Sequence, residues 1–225
     1  MEIKPVAFFR SPVGGKFGLP RQSGLASSLS GQIVLEKEFR SGEALRGLEE
    51  FDYLWLIWGF NLNRPASSAH LTVRPPRLGG NTRVGVFASR SPFRPNPLGL
   101  SSVKISSVDR DSGVIDVLGA DLADGTPIFD IKPYIEYADC HVGIRSGFTD
   151  YNAWGKLRVE FSPDVEALFP ARELDALREL LAEDPRPQYH DDPDRIYGLL
   201  FHGYNVRFSV CGETLHVIEI SNAPH

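Results

Sequence analysis

The sequence predicts a mainly β protein, an antiparallel barrel or sandwich followed by a small α+β unit. Three observations lead there. Short apolar runs of strand length recur through the first two thirds of the chain, separated by Gly, Pro and Asp-Gly punctuation. Hardly any of that region carries a helical period. No Gly-rich fingerprint follows a strand and opens a helix, so a Rossmann-type cofactor site is excluded.

Residues 6–10 are a short apolar run closed by Ser-Pro and Gly-Gly, which makes a first strand. In the loop behind it, residues 18–24 (Gly-Leu-Pro-Arg-Gln-Ser-Gly) set a Pro-fixed centre between flexible ends and present Arg21 and Gln22. This reads as a donor surface or as an ordinary turn. Residues 32–35 form a second strand, and Ser41 with Glu43 opens a short helix through Leu48. Residues 51–60 are densely aromatic and branched, a strand buried on both faces or nearly so that ends at Asn61. Residues 63–81 mix Pro65, Pro75, Pro76 and a Gly pair with Arg64, Arg74 and Arg77, and have no period: a long loop, of the kind that is functional or mobile. Residues 82–88 read as a strand entering the next loop and 102–108 as a strand leaving it, with Asp111-Ser112-Gly113 turning into a strand at 114–118.

Between those strands lies the most constrained stretch of the chain, residues 89–101, SRSPFRPNPLGLS. Pro92, Pro95 and Pro97 fix their own φ and push Ser91, Arg94 and Asn96 out of the helical region, so this is a stiff loop. Arg90, Arg94, Asn96 and Ser101 then ride on a backbone with little entropy left to lose, which suits binding of an anionic or planar ligand; a plain rigid turn fits the composition equally. The second loaded stretch is DGTPIFDIKPY at 124–134. Asp124-Gly125 supplies a turn, and the two-residue period places Asp130, Lys132 and Tyr134 on one face of an extended segment. They form either a proton-transfer group or a cross-strand ion pair with a tyrosine beside it. Beyond Gly147 the pattern changes to a strand at 154–161, an Ser162-Pro163 helix start, a leucine stripe (Leu174, Leu177, Leu180, Leu181) stopped by Asp184-Pro185, and a terminal hairpin of residues 197–210 and 214–220 around Cys211-Gly212-Glu213. The predicted division is residues 1–155 for the β-rich domain and 156–225 for the appendage.

The net charge of −5 hides a segregation. Residues 53–108 hold no Asp or Glu but seven basic residues, residues 1–52 balance, and residues 109–225 carry ten basic against twenty-two acidic groups. A cationic middle can steer a polyanion despite the negative total, unless its arginines pair with the acids of the C-terminal half. No apolar run reaches membrane-spanning length and the N-terminus lacks an export pattern, so the expected compartment is the cytoplasm with no membrane partner. Cys140 and Cys211 stand without a CxxC or a His pair at metal spacing, and no metal is expected.

Taken together, residues 19–22, 89–101 and 124–134, with the aromatic strand between the first two, closely resemble the TrmO (TsaA-like) family of tRNA methyltransferases. Residues 183–187 and 197–208 look like that family's bacterial C-terminal extension. The resemblance implies a single-sheeted antiparallel β-barrel that binds S-adenosylmethionine, works as a homodimer, and methylates N6 of threonylcarbamoyladenosine beside the tRNA anticodon. It also implies cofactor contacts at Pro20, Arg21, Gln22, Phe60, Asn61, Arg90, Leu100, Asp124, Gly125, Thr126 and Pro127, although the family more often has a histidine near Asn61. All of these precede residue 128, so residues 156–225 are expected to be dispensable for cofactor binding. For help with the N6 proton the candidate is Asp130, tuned by Lys132 and Tyr134; for substrate, Arg90 or Arg94 suits the threonyl carboxylate by a bidentate contact, with Asn96, Arg74 and Arg77 among the groups of the basic loop that meet the substrate and the tRNA phosphates. Two other classes remain open: a non-catalytic RNA-binding barrel, and an enzyme of the same fold acting on another nucleotide.

Overall fold

The computed structural model describes residues 2–63, 71–152, 155–186, 192 and 194–223. Arg64, Pro65, Trp154, Pro187 and the side chain of Arg77 lie outside the described residues. In chain order the first eight strands are Ala7–Arg10 (β1), Ser30–Leu35 (β2), Tyr53–Gly59 (β3), Thr72–Val73 (β4), Val84–Gly85 (β5), Leu98–Asp109 (β6), Val114–Leu118 (β7) and Pro127–Pro133 (β8). Six of them close a barrel in the order β1-β2-β7-β6-β3-β8. Every pairing in it is antiparallel. Strands β4 and β5 form a separate two-stranded ladder on the long β3–β6 connection.

The barrel core follows from the two-residue period. Phe9, Ile33, Leu54, Leu56, Trp58, Val103, Ile115, Val117 and Ile128 point inward and are buried, each stabilising the fold by about 1.5–3 kcal/mol. Trp58 faces Gly99 across the β3–β6 pair, and a Cβ on Gly99 would sit 2.2 Å from the indole, so only glycine lets the ring lie flat there.

The second unit is a four-stranded sheet. Tyr197–Phe201 (β10), Tyr204–Cys211 (β11) and Thr214–Asn222 (β12) form a meander, and Arg158–Glu160 (β9) joins parallel to β12. Two single-turn helices, Glu136–Asp139 (α1) and Pro163–Glu166 (α2), precede Ala171–Ala182 (α3). The stripe of Leu177, Leu180 and Leu181 on α3 belongs to one core with Leu199, Phe201, Val206, Phe208 and Leu215. That core also takes in Val13, Ala26 and Leu29, from the connection between β1 and β2.

Several expectations need correction. Residues 41–48 form turns ending in a 3-10 turn at Leu48–Glu50, because Gly47 takes φ +83° and so short a segment cannot nucleate an α-helix. Strand β3 is buried on one face only: a single-sheet barrel leaves Tyr53, Trp55 and Ile57 on its outer wall. The stretch 82–88 supplies only β5 and a 3-10 turn at Val86–Ala88. The stiff loop ends at Pro97, since Leu98 already pairs with Gly59. The strand expected at 154–161 is confined to β9. The stretch 197–210 is two strands, broken by a tight turn in which His202 and Gly203 take φ +49° and +78°.

Candidate cofactor and substrate site

The barrel topology assembles the site. β1, β3 and β7 end, and β2, β6 and β8 begin, at the same rim. The connections 11–29, 60–97 and 119–126 therefore emerge side by side, although the sequence separates them by up to a hundred residues. Residues 19–22, 89–97 and 124–126 all lie on them, and Pro127 opens β8.

Side-chain bonds join the three loops. Arg90 donates to Oε1 of Gln22, and Gln22 Nε2 donates to the Arg21 carbonyl at 2.6 Å. Lys16 donates to Oδ1 of Asn63 and stands 5.8 Å from the Phe93 ring centre. Asn61 Nδ2 donates to the Gly125 carbonyl at 3.3 Å, and Thr126 Oγ1 donates to Asn61 Oδ1 at 3.4 Å. The Asn61 amide thus clasps the Asp124–Pro127 turn. Asp124 accepts from the Ser11 backbone N–H at 3.1 Å and lies 3.7 Å from Arg10. Phe60 packs edge-on against Trp58 with ring centres 4.4 Å apart. Pro20 is buried, whereas Leu100 is 58% exposed on the outer wall.

The sequence reading placed Ser101 among the ligand-facing groups; it is in fact buried. Its register opposite Leu56 turns it inward, where its hydroxyl accepts from Trp58 Nε1 at 2.9 Å and donates to Asp121 Oδ1 at 2.5 Å. Asp121 is a residue that sequence reasoning missed. The signal was present: an acid inside the otherwise apolar run 117–123. Desolvation pushes its carboxyl above the ordinary value, against the pull of hydrogen bonds from Ser101 and the charge of Arg90. This half-buried carboxylate thus sits behind the Gln22–Arg90 pair.

The cationic stretch 53–108 can be followed for five of its seven basic residues. Among the described residues, none of Arg74, Arg83, Arg90, Arg94 and Lys104 is in ion-pair contact with a carboxylate. Acids of the C-terminal half pair with nearby cations instead, as in Arg158–Glu160, Arg178–Glu166 and Arg207–Glu219. Arg74 and Asn96 are exposed, and Arg94 turns one nitrogen back onto the Ser89 carbonyl at 3.1 Å.

Asp130, Lys132 and Tyr134 lie elsewhere. Asp130 and Lys132 stand opposite Ile57 and Trp55 on the outer wall, with Lys132 Nζ 2.9 Å from Asp130 Oδ2. Oδ1 of Asp130 accepts from the Ile131 N–H at 3.0 Å. At ~3.3 Å of rise per residue, Asp130 is about 10 Å down the wall from Pro127 and Tyr134 about 23 Å. Tyr134 packs against Trp55 and Tyr53, with ring centres at 5.5 and 6.2 Å. Desolvation, then Cys140, Asp139 and Glu136, push its hydroxyl above the ordinary value, so at neutral pH it can donate a proton bond but not accept a proton.

The rim therefore offers an arginine fork and an amide, carboxylates at Asp121 and Asp124, and apolar surface at Phe60 and Leu98. That set fits a ligand carrying both charges and an aromatic base, which describes S-adenosylmethionine. Among the described residues no group of His, Cys, Asp and Glu could hold a metal ion, and no helix is long and apolar enough to cross a membrane.

Comparison with known proteins gives the following. The family model for the tRNA-methyltransferase O N-terminal domain matches residues 8–140, and that for the TrmO C-terminal domain matches residues 155–223. The chain is 38% identical over 220 residues to the tRNA (adenine(37)-N6)-methyltransferase of Escherichia coli, covering 93% of each chain. It is 39% identical over 207 residues to a putative S-adenosylmethionine-dependent methyltransferase of Pseudomonas aeruginosa, covering 88% of this chain and 87% of the other. A crystal structure of TrmO from P. aeruginosa superposes with a TM-score of 0.80 at 29% identity, covering 99% of this chain and 97% of that one.

Proposed function

We propose, for a chain that belongs to the tRNA-methyltransferase O family, that it methylates N6 of adenosine 37 in tRNA with S-adenosylmethionine as donor, and that the adenosine it accepts carries the N6-threonylcarbamoyl group. The observation that carries this reading is the meeting of the three signature loops at one rim, tied by Arg90–Gln22 and by Asn61–Thr126. The rim holds the cofactor through Gln22, Arg90, Phe60, Asn61 and the Asp124–Pro127 turn. Arg94, Asn96 and Arg74 face the tRNA, with the free side of the Arg94 fork available to the threonyl carboxylate.

When bound, S-adenosylmethionine supplies a methyl group on a sulfonium, which passes to the N6 lone pair as the C–S bond returns its electrons to sulfur. Orientation by the rim loops can account for up to ~7–11 kcal/mol of barrier lowering. The carbamoyl group withdraws the N6 lone pair, so removal of the N6 proton matters as well. Asp130 takes that proton through bridging solvent, since it lies about 10 Å along the wall from Pro127, with Lys132 fixing the direction of its carboxylate; Tyr134 supports the outer wall through Trp55. Two copies pair through that wall, where Trp55, Ile57, Leu98, Leu100 and Phe129 form an apolar surface that a single-sheet barrel leaves uncovered. The reaction takes place in the cytoplasm, where its tRNA is.

The test has two arms. Calorimetry with the purified protein should give a heat of binding with S-adenosylmethionine, and none at millimolar concentration would leave the RNA-binding barrel. Mass analysis of tRNA nucleosides from a deletion strain should show loss of N6-methyl-threonylcarbamoyladenosine, restored by the gene; an unchanged profile with intact cofactor binding would leave an enzyme acting on another nucleotide. Affinity for tRNA should fall by about 40-fold between ~50 and ~200 mM salt if three of the unpaired cations sit on phosphates.

A further inference from the structure

Cofactor contacts that all precede residue 128 would make the C-terminal unit dispensable for binding. The packing argues the reverse. The connection between β1 and β2, which carries Arg21 and Gln22, is built into the other unit: Val13 bridges Phe201, the Gly14 N–H donates to the Leu200 carbonyl at 3.1 Å, and the His202 N–H donates to Pro12 at 2.8 Å. Gly18, at φ +90°, lies so close to Leu199 that a Cβ would come within 2.1 Å of its Cδ1. Leu29 and Ala26 share the core of Leu177 and Phe208.

Two contacts from α3 then fix the loop at defined points. Glu179 accepts from the Ser28 N–H at 2.8 Å, from the Ser28 hydroxyl at 3.0 Å and from the Ser27 hydroxyl at 3.2 Å. At the helix end, the Arg21 guanidinium donates to the Asp184 carbonyl at 2.9 Å and the Glu183 carbonyl at 3.4 Å. Carbonyls at a helix C-terminus lack intrahelical partners and carry the negative end of its dipole, so a guanidinium is well matched to them. The next bonds in the chain are Gln22 to the Arg21 carbonyl and Arg90 to Gln22.

We propose that α3 and the C-terminal sheet are a working part of the cofactor site, acting through Glu179 and Arg21, which hold the residue 11–29 loop so that Gln22 meets Arg90. In this arrangement Arg21 is a positioning residue whose guanidinium serves the helix end, while Gln22 and Arg90 face the ligand. The proposal rests on the reading that this rim binds S-adenosylmethionine.

It is tested on the full chain with Glu179→Ala, Glu179→Gln, Gln22→Ala and the Glu179→Ala/Gln22→Ala double variant, measuring S-adenosylmethionine affinity by calorimetry, kcat and KM, and melting temperature. Glu179→Ala should weaken affinity by about 5–50-fold, within the range of coupling between residues in one network, with kcat per folded molecule within about threefold of the parent. Glu179→Gln keeps an oxygen for the Ser28 N–H and should recover most of the affinity. With Gln22 already removed, Glu179→Ala should cost less than about twofold more, because what it positions is gone. Unchanged affinity in Glu179→Ala, or a loss that simply adds to that of Gln22→Ala, would overturn the proposal. Absence of binding by the unaltered protein would instead remove the cofactor reading, and the proposal with it.

Discussion

Two loops on the same rim, residues 11–29 and 89–97, present Gln22 and Arg90 to each other, yet they are held in opposite ways. The second is stiff from within. Pro92, Pro95 and Pro97 fix its backbone, Ser89 Oγ donates to the Val86 carbonyl at 2.8 Å, and Arg94 folds back on Ser89. The first has two prolines, Pro12 and Pro20, spread among four glycines, and takes its order from α3 and the C-terminal sheet. Local stiffness is carried by the residues themselves and survives the loss of a neighbour. Stiffness taken from another unit links that unit to the ligand.

The largest effect should come from outside both loops. If the rim binds and the outer wall carries the chemistry, Asp130→Asn should lower single-turnover rate by ~10²–10⁴-fold while cofactor affinity stays nearly constant. A variant that keeps its rate but melts lower would reduce Asp130 to the ion pair with Lys132, and the rim loops would then have to supply the whole effect by orientation. Next in size is Arg90→Lys. The charge stays, but the fork that meets Gln22 is lost, which should weaken S-adenosylmethionine by about 1–3 kcal/mol with little change in melting temperature. A fall in stability as large as the fall in affinity would show that Arg90 braces the loops more than it binds.

The same contrast decides what could be read from the chain before its fold was known. Barrel strands followed from the two-residue period, because a strand with one face on the core must alternate. The proline-rich loop was legible as stiff because proline acts on its own backbone. The two carbonyls that Arg21 meets at the end of α3 were not, since they lie more than 160 residues away and main-chain groups leave no mark in the side-chain pattern. Ser101 was misplaced because its inward direction depends on the register of Leu98 against Gly59, a tertiary choice. The turn at His202 was hidden because a histidine in the left-handed region interrupts neither apolar run beside it.

A smaller effect, and one with a sign fixed by chemistry, concerns Asp121, which lies behind the junction of the two loops. Its carboxyl is raised above 3.8, mainly by desolvation. The folded protein therefore binds that proton more tightly than the unfolded chain does. Its contribution to stability is complete below the ordinary carboxylate value and is lost as pH rises through the raised one. Asp121→Asn does not titrate, so the melting-temperature difference between variant and parent should move in the variant's favour as pH rises from about 3.8 to 7. Cofactor affinity at neutral pH should fall, because Arg90 loses the charge that faces it. A difference that does not change with pH would mean that Asp121 titrates normally and that Arg90 is held by its loop alone.

The smallest effect is the sharpest test of the comparison. Pro95→Ala removes one of the three internal locks of the 89–97 loop while leaving its hydrogen bonds in place. The unfolded chain gains freedom, which should cost about 0.4–1 kcal/mol of stability, a shift in melting temperature of no more than about 4 °C for a chain of this size. Two prolines and the bonds of Ser89 and Arg94 remain, so affinity for S-adenosylmethionine should change by less than about threefold. The 11–29 loop has no such reserve: loss of the Glu179 contacts leaves glycine-rich backbone to wander, and there the affinity should fall much further. If Pro95→Ala and Glu179→Ala weakened the cofactor equally, stiffness from within and stiffness lent by the C-terminal unit would be equivalent at this site. Calorimetry on the two variants side by side, with melting curves to separate global from local loss, measures the difference directly.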